Sequence, residues 1–458
     1  SAWAREARGA VSAACIFGNA MVLQRELPVP VWGKAAPGER VSVLIGSRSG
    51  SVTADVAGNW RVTLRPLPLT GEPLVLIVNG ERNRLEIRDV LAGDVWICAG
   101  EGNMALPLSD AEGARQRNVQ DPGMRFFVHG RHGEADRWLM LSPENEPSIS
   151  AVGFFFARDI RASRHLPVGI VQCTKDHAAI AEWFPKAGNS SAFRSLVRPI
   201  LPFAMTGVLW YQGESDEGER ALQYRRLLPR LVREWRSLWG EGPFPFYAVL
   251  PAGFGGTDGP AVEPYVGPAG TVSRALPWLR EGVLGLASLP MTGVASAVDL
   301  GDPDDRHPSD KSDVGRRLAR LARHRTYGEE ITDSGPVFRS LRVEEGRLRV
   351  SFASTAGGLV AGLPPSQSPN AFPAVPSSLR GFAVAGSDGR WYPAEAVIEG
   401  DSVVLSSRAV KEPLEARYDW KGYPDGNLYN REGLPALPFR SNTGSQPTQE
   451  TAAMVPRS

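Results

Sequence analysis

Apolar and polar positions alternate early in the chain and later change period. Between Cys15 and Val90 the alternation is that of strands, in Val41-Ser42-Val43-Leu44-Ile45, Ser51 to Val56 and Trp60 to Leu64. Turn formers separate these runs at Pro37-Gly38, Gly46 to Gly50, Gly58-Asn59 and Asn79-Gly80. Short strands with regular turns predict a β-sandwich-like domain over residues 15–90. Over residues 91–330, buried runs at Val95–Cys98, Val168–Cys173, Gly207–Tyr211, Phe246–Leu250 and Gly293–Leu300 alternate with helical spacing. Leu222–Trp239 repeats apolar residues at that spacing, and Val314–Tyr327 reads as an amphipathic, Arg-rich helix. Strand and helix in alternation predict an α/β/α domain, a parallel sheet covered by helices on both faces. Its functional loops are expected at the carboxyl ends of the strands. Residues 331–441 return to the strand pattern at Leu341–Val343, Leu348–Phe352, Phe382–Ala385 and Ser402–Leu405. Gly253–Val272 reads as a long surface loop or lid, Gly357–Ser378 as a flexible excursion, and residues 442–458 as a flexible tail.

Composition narrows the picture. The 458 residues exceed one ordinary core, which suggests two or three domains. Hydrophobic content of 42% and charged content of 22% are globular values. A net charge of +1, with basic residues mostly Arg and dispersed, argues against nucleic acid or an anionic membrane as partner. No apolar stretch approaches the roughly 20 residues that span a bilayer. The chain starts at Ser1 with no apolar h-region in view, which leaves open a signal peptide removed before that point. Cys15, Cys98 and Cys173 leave at least one thiol unpaired, and buried free thiols are expected.

Four segments carry candidate chemistry. In the first, the apolar run Val95–Cys98 stops at Gly100-Glu101-Gly102-Asn103, delivering a loop to a strand end. In the second, His307 lies in Asp299-Leu300-Gly301-Asp302-Pro303-Asp304-Asp305-Arg306-His307-Pro308, where neighbouring carboxylates favour a basic imidazole. A solvated or cation-binding acidic turn is the bland alternative. In the third, Trp210-Tyr211-Gln212-Gly213-Glu214-Ser215-Asp216, the Gln212 amide can donate to an oxyanion or can simply satisfy backbone at a strand end. In the fourth, Lys175-Asp176-His177 has no second spaced ligand pair to suggest zinc.

These segments resemble, block by block, the sialate O-acetylesterase family of the SGNH hydrolases. Its first block reads G-D-V-W-x-C-S-G-Q-S-N-M, matched by Gly93–Met104 except that Glu101 replaces Gln and Gly102 replaces the nucleophilic Ser. Trp210–Ser215 matches W-Y-Q-G-E-S, and Asp299–Leu318 keeps most of D-L-G-D-P-x-D-I-H-P-x-x-K-x-x-V-G-x-R-L. The second block departs. Family members read V-G-L-I-x-S-S-W-G-G-T-P-I-E-A-W, whereas Val168–Trp183 places Asp176 and His177 on the two glycines. Side chains there would crowd the pocket and Asp176 would repel an oxyanion. Further likeness at Phe17–Gly33 and at Asn427–Arg440 extends the resemblance over nearly the whole chain.

The resemblance implies an SGNH three-layer α/β/α domain flanked by β-rich domains. It also implies deacetylation of O-acetylated sialic acid or another acetylated glycan, with no metal or other cofactor, in a secreted or periplasmic setting. It sets no oligomeric state. The implied roles are Gly102 at the nucleophile position, His307 with Asp305 or Asp304 as base and orienting acid, and Gly102 with Gln212 at the oxyanion. Glu101, Asn103, Asp176, His177 and Glu214 complete the implied pocket, and Ser215 is structural. Glycine offers no attacking atom, so the serine route cannot run as the family writes it. An engineered change at residue 102 alone would not explain Glu101, Lys175, Asp176 and His177, so loss or repurposing of the chemistry is expected. Three functions follow. One is slow hydrolysis by water with His307 or Glu101 as base. Another is a non-catalytic pseudo-esterase that binds glycans or proteins. The third is a different activity that needs Asp176, His177 and Glu101 to converge.

Overall fold

The structure, a computed structural model, describes residues 10–69, 71–112, 121–130, 135–216, 220–255, 275–362 and 378–442. Most of the expected loop at 253–272, of the expected excursion at 357–378 and of the tail after 441 lies outside the described residues. The chain divides into two compact units, Ser1–Trp210 with Leu231–Phe246, and Tyr211–Arg230 with Tyr247–Ser458. The fold is of the α/β class expected, with β-rich stretches before and after the parallel strands. Among the described residues no helix is long and apolar enough to cross a membrane.

In the first unit, β1 (Leu74–Asn79) pairs antiparallel with the first part of β2 (Arg84–Gly100). Burial along β2 alternates at first and is continuous from Val90 to Gly100. One covered face gives alternation, and two covered faces give an unbroken apolar run. This single strand therefore passes residue 90 without a break. Further on come β3 (Met124–Val128), β4 (Arg137–Met140), β5 (Val168–Thr174) and β6 (Gly207–Tyr211), in the sheet order β4-β3-β5-β2-β6. The β2–β5 and β3–β5 pairings are parallel, with Asp94 opposite Val168 and Gly100 opposite Thr174. Trp183, Trp210 and Trp235 meet edge-on in this core, with Trp183 and Trp235 each within about 6 Å of Trp210.

A single helical turn, α1 (Gly102–Ala105), follows β2 directly. Helix α2 (Ala151–Arg164) follows β4, and no periodicity in the sequence pointed to it. Its residues from Ala151 to Ala157 are all buried, so the run Phe154-Phe155-Phe156 shows no polar face to reveal a 3.6-residue period. The expected turn at Gly46–Gly50 is tighter than read. Arg40–Ile45 and Arg48–Thr53 form a hairpin closed by Gly46-Ser47 alone, with Gly46 at φ +52°.

Helix α3 (Arg220–Trp239) matches the expected helix. In the second unit, β7 (Phe246–Leu250) lies beside β8 (Thr292–Ser296). The expected strand to Leu300 stops at Ser296, because the chain turns into a 3-10 turn at Val298–Leu300 whose first amide is taken by Ser296 Oγ. Helices α4 (Leu276–Leu284) and α5 (Ser312–Arg325) follow the loops after these strands. Among the described residues the C-terminal strands form two four-stranded sheets and one two-stranded sheet, and one core there includes Leu348, Val350, Val384, Val403, Tyr418 and Phe439.

Candidate functional site

The candidate residues fall in both units. In the first, β2 ends at Gly100 with φ +150°, and Glu101 is the extended residue from which α1 starts. Its carbonyl accepts from Met104 N (2.8 Å) and Ala105 N (2.9 Å), which closes the turn carrying Gly102 and Asn103. Glu101 and Asn103 are buried, at 2% and 1% exposure, while Gly102 is part-exposed. The turn is pinned from behind by Ser150. Its hydroxyl donates to Met104 O (2.6 Å) and accepts from Gly153 N (3.2 Å), capping α2. Gln172 of β5 accepts from Ser150 N (2.6 Å) and donates to Ser148 O (2.9 Å). Ser150 and Gln172 thus place the turn, and the sequence reading missed both because their partners are distant in the chain.

The parallel register carries the 175–177 loop to the same place, since Lys175 N donates to Gly100 O (3.0 Å). Lys175 Nζ meets Glu182 Oε2 at 2.5 Å and also bonds Ser191, which in turn bonds Glu182. Burial would raise the Glu182 carboxyl, but Lys175 and Ser191 outweigh it and hold it below its ordinary range. Asp176 and His177 are exposed. His177 has φ +54°, the left-handed conformation that glycine tolerates best.

In the second unit, Gln212 is fully buried and its amide is oriented by two side chains. Tyr224 OH donates to Gln212 Oε1 (2.8 Å) and Gln212 Nε2 donates to Asp216 Oδ2 (2.7 Å). Between Gln212 and Glu214 the chain turns at Gly213, φ +150°, where a Cβ would lie 2.7 Å from Leu279 Cδ2. The sequence reading named Gln212 and Glu214 but not Asp216 or Tyr224 as partners.

The four acidic residues around His307 do different work. Asp299 forks onto Arg317 of α5, Oδ1 to Nη1 at 2.6 Å and Oδ2 to Nη2 at 2.8 Å, and accepts from Tyr429 OH at 3.1 Å. Asp302 accepts Asp304 N, and Asp305 accepts His307 N, both at 2.8 Å. These short loops turn the chain without regular structure. Asp304 and Asp305 are both exposed, and Asp305 accepts from the main-chain amide of His307.

Behind His307, Lys311 is fully buried and donates to Pro308 O. Burial pushes its ammonium down to about 8, against the opposing pull of Glu214, Asp310 and Asp305, in that order. Nearby, buried Arg280 donates to four main-chain carbonyls, those of Pro251, Ala252, Lys421 and Gly422, at 2.8–3.0 Å. The loop after β7 and the C-terminal Lys421–Gly422 turn are thereby clasped together. Among the described residues no group of His, Cys, Asp and Glu could hold a metal ion.

A family model described as carbohydrate esterase, sialic acid-specific acetylesterase, matches residues 92–322, half of the 458-residue chain. The chain belongs to this carbohydrate esterase family. It is 26% identical over 391 residues to the sialate O-acetylesterases of Homo sapiens and of Pongo abelii, covering 71% of this chain and 73% of each relative. The crystal structure of a carbohydrate acetylesterase from Xanthomonas citri matches with TM-score 0.84 at 34% identity, over 95% of this chain and 100% of that one. The protein thus has the scaffold of a sialate O-acetylesterase-like hydrolase, and the matched span contains all four motif segments, from Gly93 to Leu318.

Proposed function

We propose that this member of the carbohydrate esterase family recognises an O-acetylated sialic acid or another O-acetylated glycan and has lost the serine route of hydrolysis. One observation carries the reading. Gly102 opens the turn that follows the strand end, at the position the resemblance gives to the nucleophile, and it has no side chain to attack an ester. The motif partners are retained: His307 in its loop, and Gln212 with its amide oriented. A secreted or periplasmic setting goes with the reading, on the family resemblance.

The test uses p-nitrophenyl acetate and O-acetylated sialic acid with the full chain, unmodified and as Gly102→Ser. The unmodified protein is expected to bind the glycan by calorimetry with turnover no faster than buffer. Gly102→Ser is expected to gain turnover, because the family resemblance makes residue 102 the nucleophile position, where a restored hydroxyl gives its proton to a base, takes the acetyl group and releases the sugar hydroxyl. No glycan binding by the unmodified protein, or no gain of turnover in Gly102→Ser, would sink the proposal.

A second reading is favoured by Glu101, a carboxylate at 2% exposure immediately before Gly102. In this reading Glu101 or His307 draws a proton from water, the water oxygen bonds to the ester carbon, and the sugar oxygen leaves with a proton. Turnover in the unmodified protein that disappears in Glu101→Gln or in His307→Ala would establish it.

A further inference from the structure

We propose that Lys311 is the positioning residue of the His307 loop, its buried ammonium tying the His307-Pro308 turn to the Tyr211–Glu214 segment. The inference rests on the reading above that His307 and Gln212 belong to acetyl-ester chemistry. Four observations converge on this lysine. It has no exposed surface, although lysine is almost never fully buried unless it is paired. Its ammonium donates to the carbonyl of Pro308, the residue next to His307. The same ammonium lies 5.8 Å from the centre of the Tyr211 ring, and Tyr211 immediately precedes Gln212. Glu214, 6% exposed, is the carboxylate that acts on it most strongly, followed by Asp310 and Asp305.

The arrangement joins two short loops that have little regular structure of their own. His307 follows a run of Asx-type turns at Asp302–Asp304 and Asp305–His307. Gln212 precedes a one-turn 3-10 helix, Glu214–Asp216. Such loops drift unless something crosses between them, and a misplacement of about 1 Å can cost about 100-fold in rate. Lys311 sits at the start of α5, whose Gly315 N bonds Lys311 O at 3.0 Å, so the tie is anchored to a helix and not to another loop. A buried cation with nearby carboxylates and a carbonyl is stable only while those partners stay, so the tie resists loosening of either loop.

The test has a readout that a merely structural role would not move. The imidazole resonances of His307, assigned by their loss in His307→Ala, are followed by NMR in the full chain. In Lys311→Met these resonances are expected to shift and broaden while those of exposed His165 stay in place. Glu214→Gln, which keeps the shape and removes the charge, is expected to give the same change, and it serves if Lys311→Met does not fold. Kinetics supply the second arm. In a Gly102→Ser background, adding Lys311→Met is expected to lower kcat about 100-fold with KM nearly unchanged. His307 resonances superimposable on those of the unmodified protein in both variants would overturn the inference. An inactive Gly102→Ser protein would count against the esterase reading, and the NMR arm would still decide the role of Lys311.

Discussion

Removing one partner of the Asp299–Arg317 fork should be among the costliest single changes in the second unit. The two side chains are 5% and 2% exposed, and both oxygens of Asp299 are engaged by the guanidinium. Arg317 Nη1 also donates to Ser296 O (2.6 Å), at the end of β8. The pair therefore fastens α5 to the strand that leads into the His307 loop. Burial alone would lower the basicity of Arg317, but Asp299 outweighs it and holds the guanidinium firmly charged. Asp299→Asn strands that cation in a dry site, and breaking a buried pair in this way costs about 3–5 kcal/mol. At about 2–4 °C per kcal/mol for a unit of this size, the melting temperature should fall by roughly 10 °C. The assay is a thermal melt at one fixed scan rate, at neutral pH, for Asp299→Asn, Arg317→Met and the double variant. The double variant should recover part of the loss, since it leaves no unpaired charge. Single losses under about 1 kcal/mol, or strictly additive losses in the double variant, would refute the reasoning, because exposed or unformed pairs behave in that way.

Three further outcomes are expected. Burial, aided by Asp425, pushes the Asp419 carboxyl up to about 7, so the folded state holds its proton longer than the unfolded chain does. Stability from this group is present below about pH 4 and is lost as pH rises through about 7, so Asp419→Asn should gain on the unmodified protein across that interval in melts against pH. No pH dependence in the difference would count against a buried acid there. Ser150→Ala should cost about 1–2 kcal/mol by removing the α2 cap and orphaning Met104 O. Hydrogen exchange should then quicken at Met104 and Ala105, and unchanged rates would detach Ser150 from the Gly102 turn. His177→Gly should stabilise by about 0.5–1 kcal/mol, because relief of left-handed strain exceeds the added chain entropy, and a lower melting temperature would contradict this.

Hydrophobic periodicity alone was enough to find β5, β6, β7, α3 and α5 and to assign the α/β class, because each of those elements carries its own pattern. Local sequence also marked the turns that carry Gly102, Gln212 and His307, since Gly, Asp and Pro limit what a backbone can do wherever they stand. Helix α2 stayed hidden because the unbroken burial of its first half, Ala151 to Ala157, erased the periodicity there. Partnership was equally illegible. Which acid of the Asp299–Asp305 cluster forks onto Arg317, what turns the Gln212 amide, and why Lys311 can be buried all depend on residues from 3 to about 100 positions away. A sequence displays which groups are available, but pairing in a dry interior is decided by the geometry that brings distant groups within about 3 Å. Gly102 shows the same division from the other side. Its missing hydroxyl is plain in the sequence, while the care with which Ser150 and Gln172 still hold its turn is visible only in the fold.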